Sequence, residues 1–139
     1  MSDISLELSF EEKKELAKSR KTSPDILAKL SDDPNIKIKE IVASNPKTPQ
    51  DVLRKLANLS GDEYVWMRYM IASNHSAPVD VLRKLANDDY LCVRDGVATN
   101  PNTPLDIILH FVVYDESEYL KDMASNIIKS RCKKLRFFK

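Results

Sequence analysis

The groups able to carry out catalysis are few and poorly spaced. The two histidines, His75 and His110, have no cysteine or carboxylate at metal-ligand spacing, and the two cysteines, Cys92 and Cys132, lie far apart in the chain. That pattern gives neither a zinc site nor a disulfide framework. No Ser-His-Asp order or nucleophile elbow is present, and two glycines in 139 residues exclude a glycine-rich phosphate loop. Acid pairs such as Asp32 with Asp33 and Asp88 with Asp89 fall where turns are expected, and aspartate suits turns because its side chain bonds nearby backbone. The expectation is a non-enzymatic chain with no catalytic residues, no cofactor and no metal.

Binding chemistry is better represented, in three groups of residues. The first is a basic row, Lys29, Arg54, Lys55, Arg83 and Lys84, broken further along by Leu109 and His110. It is extended by residues 129–139, which hold six basic residues and no acidic one, among them Arg131, Lys133, Lys134 and Arg136. Such a row can track nucleic-acid phosphates without reading sequence, or it can be a solvated face whose cations pair with acids such as Asp51 and Asp80. The second group is Lys39, Arg68 and Arg94, with Asp33, Asp62 and Asp88 at matching places; it reads as a ladder of ion pairs or as a ligand-contacting row. The third is aromatic: Tyr64, Trp66 and Tyr69, with Tyr90 nearby and Arg68 and Arg94 beside them. Aromatics with arginine are typical interface anchors. The alternative is that Trp66 fills space between helices. Tyr64, Trp66, Arg68, Tyr69, Tyr90 and Arg94 are the preferred protein-binding residues, and the basic row with its tail is the alternative, nucleic-acid-binding set.

These groups recur at matching places because the sequence repeats itself. The segments 21–30 (KTSPDILAKL), 47–57 (KTPQDVLRKLA), 76–86 (SAPVDVLRKLA) and 102–111 (NTPLDIILHF) align on Leu27, Leu53, Leu82 and Ile108, at spacings of 26, 29 and 26 residues. A second motif runs in phase (IVASNP, MIASNH, GVATNP, DMASNI), aligned on Ala43, Ala72, Ala98 and Ala124. The second copy carries three extra residues, best placed at Leu59, Ser60 and Gly61.

Each first motif reads as a helix start. Thr22, Thr48 and Thr103 are expected to cap the first turn, Pro49 and Pro104 to fill the first helical position, and Asp25, Asp51 and Asp106 to complete a capping box. Ala77 replaces threonine in the third copy, which predicts a helix start weaker by about 1 kcal/mol. Apolar residues then recur at helical spacing. The second motif predicts a short helix with a small residue at close approach to a neighbour. Asn45, Asn74, Asn100 and Asn126 are expected to bond loop backbone before the next start. Gly96 inside a helix costs about 1 kcal/mol relative to alanine, with no function assigned.

Two-helix units this short bury too little to fold alone and must stack. The expected fold is therefore all-α: a right-handed α-solenoid of about four two-helix repeats with terminal capping helices. It forms one domain over 1–139, with an N-terminal cap at 1–20, repeats at 21–127 and a basic C-terminal helix or tail at 128–139. The pattern Asn-Pro-x-Thr-Pro-x-x-Val-Leu-x-x-Leu-Ala, followed by Asp and Val-Arg-x-x-Val-Ala, resembles the leucine-rich-repeat variant family, a relative of the armadillo and HEAT repeats. Its clearest copy carries Pro78, Val81, Leu82, Leu85, Ala86, Asp88, Val93, Arg94, Val97 and Ala98. The resemblance implies an α-helix paired with a short helix in each unit. The family's founding member also bears a cysteine cluster for an iron-sulfur centre; with no cysteine before Cys92, none is carried over here.

Ser9 and Glu12 stand in capping-box register at the first helix, preceded by an alternating Ile4, Leu6, Leu8 segment that reads as short extended chain. Net charge is +1 overall, and −5 without residues 129–139. No apolar run reaches the length of a membrane span, and the start lacks a signal-peptide layout. A cytoplasmic protein is expected. It would act on a protein partner as adaptor or inhibitor, with nucleic acid as the alternative and no membrane, as a monomer or a weak homodimer through an apolar terminal cap or Phe137 and Phe138.

Overall fold

A computed structural model describes residues 7–136, and the described residues are helical with no strand. The helices are α1 (Phe10–Lys18), α2 (Pro24–Leu30), α3 (Ile36–Ser44), α4 (Gln50–Ala57), α5 (Val65–Ser73), α6 (Val79–Leu85), α7 (Leu91–Thr99), α8 (Leu105–Tyr114) and α9 (Glu118–Arg136), with a 3₁₀ turn at Asp62–Tyr64. Helices α1, α3, α5, α7 and α9 pack side by side in that order, and α2, α4, α6 and α8 each lie against the helices that precede and follow them in the chain. The aligned Leu27, Leu53, Leu82 and Ile108, and the aligned Ala43, Ala72, Ala98 and Ala124, are all fully buried. Alanine at that place lets α3, α5, α7 and α9 approach closely. None of the described helices is long and apolar enough to cross a membrane.

The asparagines tie one helix pair to the next. Asn45 Nδ2 donates to the Ala17 and Ser19 carbonyls at 2.8 and 3.0 Å, Asn74 to Ala43 and Asn45 at the same distances, and Asn100 to Ala72 and Asn74 likewise. Each Oδ1 accepts the backbone N–H two residues on, from Lys47, Ser76 and Asn102. One buried amide thus satisfies two carbonyls of the preceding pair and one amide of its own loop.

Asn126 does not join them. No Thr-Pro follows it; Ile127 and Ile128 pack on the core instead, so nothing stops the helix and α9 runs on to Arg136. Residues 128–136 are therefore a continuation of the same helix that holds Ala124. Of the two carbonyls that the missing bonds would have used, Asn100 O is taken by Arg131, whose Nη2 donates to it at 3.3 Å while Nη1 donates to Thr103 O at 2.6 Å.

The threonines also differ from the capping expectation. Thr22, Thr48 and Thr103 are buried, and their hydroxyls donate backwards, to Leu16, Val42 and Val97 carbonyls at 2.6–2.7 Å, sealing the preceding helix. Ser23 caps α2, while Pro49, Pro78 and Pro104 occupy the cap positions of α4, α6 and α8 with no side-chain cap bond. Ala77 therefore costs no cap; what it lacks is the hydroxyl that would bond the end of α5. The capping box at Ser9 and Glu12 is formed.

The three extra residues fall between α4 and α5, as the spacing requires. There Gly61 takes φ +110°, a conformation that strains other residues, and leads into the 3₁₀ turn. Ile4, Leu6, Phe137, Phe138 and Lys139 lie outside the described residues.

Candidate functional site

The second group of cations is spent inside the molecule. Arg68 and Arg94 are buried; each guanidinium bonds two carbonyls of the loop before its own helix and forks onto an aspartate of the next pair. The partners are Asp88 at 2.7 Å and Asp115 at 2.9 Å. Lys13 continues the series with Asp33 at 2.6 Å. Burial alone would push the Asp33 carboxyl up; the hydrogen bonds from Lys13 and the Asn35 amide, with the charges of Lys13 and Lys39, hold it below the ordinary value. Lys39 departs from the series by donating to the Ser31 carbonyl at 2.8 Å, and burial lowers its pKa. Asp62, at the place matching Asp33 and Asp88, sits in the inserted turn and accepts from the Tyr90 hydroxyl. These contacts make Arg68 and Arg94 ties between helix pairs.

The basic row lies on the solvent side of α4 and α6 and meets acids one pair away. Arg54 forks onto Asp80 at 2.9 and 3.2 Å, Arg83 bonds Asp106 at 2.9 Å, and Lys55 bonds Asp32 at 2.8 Å. Lys84 bonds the Asn58 amide oxygen. Hydrogen bonding to Arg54 and Arg83 lowers the carboxyls of Asp80 and Asp106. Lys29 lines a shallow hollow with Asp32, Asp51 and Lys55. A face so interleaved with acids offers a phosphate little net charge, and exposed pairs of this kind add little stability. Of the tail, Arg131 is held by backbone carbonyls, Lys133 and Lys134 are exposed, and Arg136 ends the helix.

The aromatic group separates into parts. Tyr64 is half-buried against the core, and Tyr90 edges a cleft of about 380 Å³ beside the inserted turn. The polar side chains that line it are paired with one another, Arg68 with Asp88, Lys84 with Asn58 and Tyr90 with Asp62. Trp66 and Tyr69 stand together on α5, ring centroids 5.9 Å apart and planes at 85°, an edge-to-face pair. Trp66 is 60% exposed, so it does not fill space between helices.

Two residues beside this pair gain a role from the structure: Gly96, which the sequence marked only as a propensity cost, and Asp95, which it did not single out. Gly96 on α7 is buried, and a Cβ there would stand 3.0 Å from the Ala72 Cβ, 3.1 Å from Ser73 Oγ and 3.4 Å from the Tyr69 ring. It is what allows α7 to close on α5 beneath Tyr69. The residue before it, Asp95, is half-buried, and its Oδ1 is buried without a hydrogen-bond partner. Burial pushes its carboxyl above the ordinary value, with the Tyr119 hydroxyl of α9 opposing. The repeat itself holds the clue to Asp95. At the places that Trp66 and Tyr69 take on α5, helix α3 has Lys37 and Glu40, paired at 3.4 Å, and α9 has Glu118 and Lys121, paired at 3.7 Å. Helix α7 has Cys92 and Asp95, an acid without its cation.

Beyond this face, Leu105, Leu109 and Val113 are exposed one turn apart along α8. Among the described residues no group of histidine, cysteine, aspartate and glutamate is arranged to hold a metal. Compared with protein-family models, with curated proteins and with solved structures, the chain matches none of them.

Proposed function

We propose that this chain is a right-handed α-solenoid of about four two-helix repeats, of the leucine-rich-repeat variant kind, and that it is a non-catalytic scaffold binding another protein through the exposed face of α5 and α7. The repeat reading is supported by the asparagine and arginine ties that recur at matching places along the chain. The binding reading is carried by one observation: Trp66, the only tryptophan, is 60% exposed in an edge-to-face pair with Tyr69. A large ring left in water on a helix scaffold is an anchor awaiting a surface. Nucleic-acid binding ranks second, because the acids beside Arg54, Lys55 and Arg83 cancel their charge and Arg131 is engaged by carbonyls.

The test is affinity capture with the full chain and with Trp66→Ala at about 150 mM salt, near physiological ionic strength. A partner retained by the wild type and lost by the variant supports the reading. Equal recovery by both places the contact elsewhere and removes it.

A further inference from the structure

The acid without its cation on the α5–α7–α9 face is the feature that the fold does not explain. Asp95 occupies a place where Glu40 on α3 has Lys37 to pair with; Cys92 stands where that lysine would be. Among the described residues Asp95 forms no ion pair, and its Oδ1 accepts no hydrogen bond. A buried carboxylate oxygen left in this state costs stability in the free protein. Its surroundings match a cation. Tyr69 lies against the neighbouring Gly96 and pairs edge-to-face with Trp66, and the Tyr119 hydroxyl of α9 acts on Asp95. Tyr119 is 61% exposed, and its hydroxyl rests on the Met123 sulfur at 3.9 Å, a contact weak enough to yield. A carboxylate with aromatic rings nearby is what a guanidinium or ammonium group seeks, through a charge-assisted hydrogen bond and cation–π contact.

We propose that Asp95, framed by Tyr69, Trp66 and Tyr119, receives a cationic side chain, arginine above all, from a basic segment of the protein partner. This deepens the reading of the α5–α7 face as a protein-binding surface and rests on it. The partner's charge replaces the missing lysine of the repeat, so binding completes a pairing that the fold leaves open.

Because Trp66 is the only tryptophan, its emission reports this site alone. The full chain is titrated at about 150 mM salt with a synthetic peptide alternating arginine with glycine and serine. The control peptide has citrulline, the neutral isostere, at every arginine. The arginine peptide is expected to quench Trp66 and to bind about tenfold or more tightly than the citrulline peptide. Asp95→Asn erases that advantage, while Asp80→Asn, the same charge loss on α6, leaves it. The variant's melting temperature, at or above that of wild type, shows that it folds.

Equal quenching by both peptides, unaffected by Asp95→Asn, would mean that the face takes peptides without a cation: the binding reading stands and the proposal falls. An Asp80→Asn effect as large as that of Asp95→Asn assigns the advantage to overall charge and overturns it. So does loss of both stability and binding in Asp95→Asn, which makes the carboxylate structural. Silence of Trp66 toward both peptides also overturns it, and the binding reading then rests on the Trp66→Ala capture.

Discussion

Replacing Asn74 tests the tie between successive helix pairs at one side chain. The residue is 5% exposed; its Nδ2 donates to Ala43 O at 2.8 Å and Asn45 O at 3.0 Å, and its Oδ1 accepts from the Ser76 amide at 2.9 Å. Three such bonds, each worth about 0.5–1.5 kcal/mol net, give Asn74→Ala an expected cost of about 2–4 kcal/mol. Asn74→Asp is the sharper probe. It keeps the acceptor for Ser76 but turns a carboxylate oxygen toward two carbonyls, an uncompensated buried charge worth about 3–5 kcal/mol. The isosteric aspartate is therefore expected to be the worse substitution at neutral pH. Its excess cost shrinks as the pH falls, because a protonated carboxyl can donate to one carbonyl again. Urea unfolding followed by far-ultraviolet circular dichroism gives both values by linear extrapolation. A cost for Asn74→Ala under about 0.5 kcal/mol, or an Asn74→Asp milder than the alanine, would refute the reasoning.

Other consequences follow from the same contacts. Arg94→Ala removes a buried guanidinium from Asp115 and two carbonyls and is expected to cost about 3–5 kcal/mol. Arg83→Ala breaks an exposed pair and should cost less than about 1 kcal/mol; thermal melts showing the reverse order would sink the distinction between ties and face. Gly96→Ala gains about 1 kcal/mol of helix propensity but forces a Cβ to 3.0 Å from Ala72, and overpacking of this kind costs about 1–3 kcal/mol. A net loss of up to about 2 kcal/mol is therefore expected, and a more stable variant in chemical denaturation would show that the α5–α7 contact has slack. Asp95 sets a pH dependence. Burial raises its carboxyl in the folded chain, with Tyr119 opposing, so the folded state holds a proton that the unfolded chain releases. Stability from this group is present at low pH and declines as the pH rises from the ordinary carboxylate value through the raised one. Unfolding of Asp95→Asn against wild type should show the variant's advantage growing across that window; a constant difference contradicts the assignment.

Much of the helical pattern was legible because it is written four times. Apolar residues at helical spacing, alanine at a fixed place and an asparagine before each start led to the right helices and core, and the asparagine bonds to loop backbone were foreseen as such. That their amides also reach the preceding pair was not, since a sequence shows local partners only. The threonines misled for a related reason. Ser/Thr before Pro reads as a cap, yet once buried the hydroxyl finds a nearer acceptor in the last turn of the preceding helix. Asn126 kept the motif but lacked the proline that ends a helix, and the absence of Thr-Pro was the signal passed over. At the candidate site, Trp66 and Tyr69 could be read from type and place, whereas Arg68 and Arg94, which looked like part of an interface, turned inward once helix packing set their direction. Asp95 stood out only by comparison across copies, as Glu40 without its lysine, and Gly96, visible in the sequence as a propensity cost, acquired its packing reason only once the approach of α5 was known.

The central claim, that the α5–α7 face is where a protein docks, is met most directly by the emission of Trp66 during titration with the captured partner at about 50 and 200 mM salt, a range over which phosphate-driven binding weakens steeply. Emission moving to shorter wavelength as the ring leaves water, with an affinity changing only modestly between the two salts, is the expected result. Unchanged emission at saturation, or an affinity that collapses at the higher salt, would contradict the account.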